Sequence, residues 1–269
     1  MVHAVKPKWL GLIILIGLYT LLSGTSIAAD EKESGKKEEG IPSHVLNISK
    51  DNTYPNSTDD QELLEAEEIT KELMEDTDVR ITNPQLIEML NETTLKPSPF
   101  AIGYRGEIFL GRWPLAYESK ETNINWEYQE INVNELNNHG GEATEKINYV
   151  QKEEKSIKGG LTSRISHSDQ MMKLILLEAQ KNTKLPLSFN TVIGRGTKQN
   201  NSYAVPTNKV GILHAYAPAV NEKGEVAFGD VYIKLKGSKK TLSVKNVTRQ
   251  GIGAWIPIQD HVSFSFELK

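Results

Sequence analysis

The sequence has no cysteine, so neither a disulfide framework nor a thiolate metal site can hold it together. Charge of one sign is also missing: 31 Lys and Arg stand against 35 Asp and Glu, for a net charge of −4. A sequence pI near 5.9 excludes a strongly basic nucleic-acid binder. Aromatic residues make up 7% of the chain, and a mean hydropathy of −0.43 excludes a multi-pass membrane protein. There is no internal repeat and no Gly-x-Ser-x-Gly elbow to present a nucleophile. His44, His139, His167, His214 and His261 lie far apart, without the close spacing of a zinc-binding helix. The expectation is therefore no metal, no cofactor and no nucleic-acid partner, and no catalytic residue declares itself.

One apolar run is present. Lys6 and Lys8 precede Trp9–Leu22, fourteen residues without a charge, followed by the small residues Ser26, Ala28 and Ala29. That order is a signal peptide in outline, over residues 1–28, with cleavage after Ala28. An uncleaved anchor is the alternative, since no charge follows Lys8 until Asp30. Both readings export the protein, as a secreted chain or at the outer face of the cytoplasmic membrane. Residues 29–58 turn polar and charged with few apolar positions, the composition of a disordered tether.

Thr58 or Asp59 can cap a helix carrying Leu63, Ala66, Ile69, Leu73 and Met74 on one stripe. Asn83-Pro84 gives a second cap, ahead of Leu86, Ile87 and Leu90, so residues 59–95 read as an acidic helix pair. Residues 96–269 read as a β-rich domain. Ile124, Trp126 and Tyr128 alternate, and Ile131 and Val133 alternate in the opposite phase, which implies a bulge near Gln129-Glu130. The same slip separates Val226 and Phe228 from Val231, Ile233 and Leu235 across Gly229-Asp230. Val262, Phe264, Phe266 and Leu268 form a clean strand face, with His261, Ser263, Ser265 and Glu267 on the other. A single helix near 169–181, started by Ser168, carries Met171, Met172, Ile175, Leu176 and Ala179. Asn221-Glu222-Lys223-Gly224 and Gly237-Ser238 read as hairpin turns. The fold class is α+β, mainly β, with antiparallel sheets, the helix pair at the N-terminal side and one inserted helix.

Three constellations invite chemistry. Gly194-Arg195-Gly196-Thr197 resembles part of a phosphate loop, but Gln199-Asn200-Asn201-Ser202 follows in place of a helix, so a glycine-rich β turn is the reading. His214 can meet Asp230 or Asp260 as a base, against the simpler reading of a strand histidine bonded to backbone or solvent. Glu107, Glu118, Glu127 and Glu130 flank Trp113 and Trp126, and a glycosidase pair among them is defined only by its separation in space. Trp113, Trp126 and Trp255 otherwise read as core or rim packing.

Charge is distributed unevenly. Asp59 to Asp78 carries −9, whereas Lys181 to Lys269 carries +8. Alternation sends Val231, Ile233 and Leu235 to one side and Tyr232, Lys234 and Lys236 to the other, with Lys245 outward on the next strand. The basic sheet face has three readings: a solvated surface, a cradle for the acidic helix, or a site for an anionic partner such as wall polymer or lipid headgroups. Lys234, Lys236 and Lys245 are its candidate binding residues.

Ile41-Pro42-Ser43-His44-Val45, Gly159-Gly160-Leu161-Thr162, the run from His214 to Gly224, Gly253-Ala254-Trp255-Ile256-Pro257 and Gln259-Asp260-His261-Val262-Ser263 together resemble the YfkD-like family of exported Bacillus proteins. The resemblance runs from about Ile41 to the C-terminus and implies a Gram-positive cell envelope. It brings no activity and no site residue. The functional expectation is an envelope-associated binding or structural module that is not an enzyme; the alternative is an envelope hydrolase acting on a glycan or ester.

Overall fold

The computed structural model describes residues 40–48, 53–54, 66–75, 77–93, 103, 105–237 and 239–269. The signal segment, the Thr58 or Asp59 cap and Leu63 lie outside them. In chain order the elements are β1 (Val45–Asn47), β2 (Thr53–Tyr54), α1 (Glu68–Met74), α2 (Pro84–Asn91), β3 (Arg105–Asn137), β4 (Glu145–Val150), β5 (Lys155–Lys158) and β6 (Gly160–Leu161). There follow α3 (Ser168–Thr183), β7 (Asn190–Ile193), β8 (Lys198–Val205), β9 (Val210–Lys236), β10 (Lys239–Pro257) and β11 (His261–Leu268). The protein is mainly β and its sheets are antiparallel, as the sequence pattern requires.

Strand β9 is the spine. On one edge it pairs with β3 along its whole length, from Val210 to Lys236. On the other it pairs first with β11, over Gly211–Tyr216, and then with β10, from Ala219 to Lys236. The hand-over falls at Pro218, which has no N–H to donate and whose carbonyl accepts from Ile258 N at 2.9 Å. Strand β1 extends the sheet beyond β11, and β6 extends it beyond β10.

A straight strand of 33 residues would reach roughly 110 Å. In β3 five register shifts break that line, two of them flanking the expected bulge at Gln129-Glu130. The buried residues of β9 also change phase, from odd-numbered up to Ala217, to even-numbered from Val220 to Phe228, and back to odd at Val231 and Ile233. The second change is the slip expected at Gly229-Asp230. It sits opposite a bulge at Asn246-Val247, and a Cβ on Gly229 would lie 2.4 Å from Val244 Cγ1, so only glycine fits there.

Different layers cover the successive stretches. Leu213, Ala215 and Ala217, with Val262 and Phe264, pack against Ile147, Tyr149, Ile157 and Ile193 of the two small sheets β4–β8 and β2–β7–β5. Val231, Ile233 and Leu242 pack against Leu86 and Leu90 of α2, together with Leu115 of β3. In the middle, Tyr117 and Thr122 of β3 donate to the buried carboxylate of Glu222 at 3.2 and 2.6 Å. Asn182 of α3 closes over this cluster by donating to Thr122 at 3.3 Å. Burial, with the Glu222 carboxylate beside it, raises the Tyr117 hydroxyl above its ordinary range.

Several expectations are met locally and others are corrected. Asn83 caps α2 by accepting from Gln85 N and Leu86 N, with Pro84 at the first helical position. Gly196, at φ +87°, turns the chain between β7 and β8, and no helix follows. Helix α3 starts one residue differently: Ser168 is its first helical residue, and His167 ahead of it is left-handed and makes no side-chain cap. Within residues 29–58, expected to be a disordered tether, Val45–Asn47 instead pairs with β11 and Ile48 is buried in the core. Asn221–Gly224 is not a turn but mid-strand, since Glu222 finds hydroxyl donors inside and Gly224 makes room for Tyr117. Helix α2 packs on Val231 and Ile233, the side of β9 opposite Lys234 and Lys236, while most of the acidic segment Asp59–Asp78 lies outside the described residues.

A methyl group on Gly224 would stand 2.2 Å from Glu118 O and 2.5 Å from the Tyr117 hydroxyl. Gly224→Ala is expected to destabilise the fold by about 2–4 kcal/mol, read as a lower midpoint in urea unfolding.

Candidate functional site: a basic groove at the end of the spine

Cross-strand partners in an antiparallel ladder share a face. The register therefore writes the outward surface at the hairpin end of β9. Arg105, Lys236 and Lys239 form one row, Glu107, Lys234 and Thr241 the next, and Phe109, Tyr232 and Ser243 the third. Gly237, at φ +60°, closes the β9–β10 hairpin beside the first row, as the sequence suggested. Between β3 and β9 runs a groove of about 450 Å³ lined by Arg105, Gly106, Glu107, Lys234, Leu235 and Lys236.

Of the three lysines singled out by alternation, Lys234 and Lys236 line this groove, and Lys245 reaches it through its ion pair. Lys245 Nζ donates to Glu107 Oε2 at 2.6 Å and lies 4.6 Å from the centre of the Tyr232 ring. Lys234 Nζ is 3.9 Å from the other Glu107 oxygen. One carboxylate thus serves two ammonium groups, and around it stand Arg105, Lys236 and Lys239. Among the described residues neither Arg105 nor Lys236 is held in an ion pair, so their charge faces the groove. Arg105, Lys234, Lys236 and Lys245 around one carboxylate suit a ligand that brings negative charge, and the planar Arg105 guanidinium suits a phosphate or carboxylate fork.

Arg105 and the bridging role of Glu107 were missed by sequence reasoning. The alternation Arg105, Glu107, Phe109 was visible, but its apposition to Lys236, Lys234 and Tyr232 is a matter of register between segments more than a hundred residues apart.

The other constellations separate. Asp230 accepts from Asn246 Nδ2 at 2.7 Å and from Arg112 at 3.0 Å, which pins the bulge and holds its carboxyl below the usual range. It is not a partner of His214, and neither is Asp260, which lies buried in the left-handed turn between β10 and β11. His214 Nδ1 instead meets Glu130 Oε1 at 2.6 Å, because the irregular stretch of β3 sets Glu130 opposite Tyr216, diagonal to the imidazole. Glu118 accepts from Arg249 at 3.1 Å. Trp113 packs with the α2 core and donates to Leu110 O at 3.0 Å, while Trp255 stacks on Tyr128 with centroids 5.1 Å apart. Among the described residues no helix is long and apolar enough to cross a membrane.

The hydrogen bond from Lys245 holds Glu107 below the ordinary 4.5, and the same contact raises Lys245. A depressed carboxylate contributes stability above its unfolded value, and that contribution is lost as pH falls through the lower folded value. Lys245→Ala is expected to move the Glu107 midpoint up toward 4.5 in a carbon-detected NMR titration; an unmoved midpoint would show that the contact does not persist in solution.

The family model described as YfkD-like protein matches residues 42–269, the span of the compact unit Pro42–Lys269. A protein of Bacillus subtilis (strain 168), printed as "Uncharacterized protein YfkD", is 52% identical over 233 residues, covering 87% of this chain and 88% of its own. No solved structure matches. On the extent of both matches, the chain belongs to the YfkD-like family.

Proposed function

We propose that this is an exported protein of a Gram-positive cell envelope that binds a phosphate-bearing partner, wall polymer or lipid headgroup, in the groove of Arg105, Lys234 and Lys236, and is not an enzyme. The observation that carries the reading is the segregation of the two sides of β9. Val231 and Ile233 are fully buried under α2, which leaves the cationic side of the same strand without a covering layer of described residues. Lysines spread for solubility would not need Arg105 brought across from β3, nor a carboxylate placed to hold two of them in line. Export rests on Lys6, Lys8 and the run Trp9–Leu22, and the Gram-positive setting on the Bacillus source of the relative.

Retention of Pro42–Lys269 on immobilised poly(glycerol phosphate) should fall with salt, as attraction at an exposed surface does. Neutralising Arg105 or Lys236 singly is expected to weaken it about two- to fivefold, and Arg105→Glu with Lys234→Glu and Lys236→Glu to abolish it. Undiminished retention of the triple variant would overturn the reading.

A second reading, an envelope hydrolase acting on an ester, has one observation behind it. With Nδ1–H donated to Glu130, His214 presents Nε2 as a base, and Ser265 lies directly across from it in the ladder. Hydrolysis of a p-nitrophenyl ester that disappears in both His214→Ala and Ser265→Ala would favour it over a pure binding role; no turnover by the parent chain removes it.

A further inference from the structure

Phe109 is 57% exposed, the most open large apolar side chain among the described residues. It occupies the third outward row beside the basic groove, two steps along β3 from Glu107 and four from Arg105, or roughly 13 Å. Its ring rests on Tyr232 with centroids 5.0 Å apart, and Tyr232 in turn carries the Lys245 ammonium. The aromatic pair is thus supported from beneath by the sheet and flanked by cations on the same surface. Phe109 has no call on the core behind it, since Val231 and Ile233 on the other side of the ladder already engage α2.

This grouping has a specific physical match. A soluble polyanion would satisfy the cations and leave the Phe109 ring in water. An anionic bilayer satisfies both, because its surface potential attracts Lys and Arg while the boundary between headgroups and chains accepts an aromatic ring. Resting on the reading of the groove as an anion site, we propose that this face seats on an anionic lipid surface, with Arg105, Lys234 and Lys236 among the headgroup phosphates and Phe109 entering the interfacial layer between them. Each cation then raises partitioning about fivefold, and the ring adds a contribution that salt does not screen.

The compact unit Pro42–Lys269 holds every described strand and helix, so it is the piece to use, free of the apolar run that would bind lipid by itself. Its binding is measured by sedimentation with vesicles of phosphatidylglycerol and phosphatidylcholine, with vesicles of phosphatidylcholine alone, and in solution with inorganic polyphosphate. The expected result is binding to the anionic vesicles and not to phosphatidylcholine. Phe109→Ser should weaken vesicle binding about tenfold and leave polyphosphate binding unchanged, whereas Lys234→Glu with Lys236→Glu should lose both. Phe109→Trp keeps the aromatic packing and should give an added blue-shifted emission with anionic vesicles only. If polyphosphate binds while vesicle binding is absent, or is indifferent to Phe109→Ser and gives no shift in Phe109→Trp, the membrane assignment fails and the groove reading stands. If neither probe binds, both fail.

Discussion

Everything in this fold depends on β9 being hydrogen-bonded on both edges. A strand in that position has its backbone satisfied by neighbours along nearly its whole run, which frees its side chains to be sorted purely by face. Apolar residues go where a layer of helix or small sheet lies over them, and polar ones go to the other side. Because β3 keeps pace with β9 for 26 paired residues despite its shifts, residues distant in sequence are delivered to neighbouring places on one surface. The groove arises this way: its cations come from two strands and lie together only because the ladder continues to its last rungs.

The sorting also explains the charge pattern. Summed over the chain, charge nearly cancels, yet apolar contact and not charge seats α2 on the sheet. Helix α2 docks through Leu86 and Leu90 on Val231, Ile233 and Leu242, a contact governed by apolar burial. Among the described residues, Glu107 of the sheet itself meets the lysines of the basic face. A carboxylate of the sheet itself thus tunes the site.

Much of this was legible in the sequence where one residue type has one use. Asn83-Pro84 could be read as a helix start because a cap acceptor followed by a residue without N–H fits little else, and Val262 to Leu268 because period two over eight residues admits one pairing face. The slip at Gly229-Asp230 showed itself as a change of phase. The sequence misled where polar residues stand inside the sheet. Asn221-Glu222-Lys223-Gly224 has the composition of a turn, and only the hydroxyls of Tyr117 and Thr122, a hundred residues upstream, make a buried glutamate tolerable there. Val45–Asn47 is too short to announce itself as a strand beside polar neighbours. Neither Asp230 nor Asp260, offered for His214 beside the simpler reading of backbone or solvent, is its partner, because the choice of Glu130 is made by bulges in β3 whose size no periodicity reveals.

The place of β1 has a mechanical consequence. Val45–Asn47 joins β11, which lies alongside Gly211–Tyr216 at one end of β9, whereas Arg105, Lys234 and Lys236 stand at the other. A pull exerted on the chain ahead of Val45, resisted at the groove, would run lengthwise along β9 and not across it. Antiparallel ladders loaded in that direction are sheared, so their hydrogen bonds share the strain together instead of opening one after another.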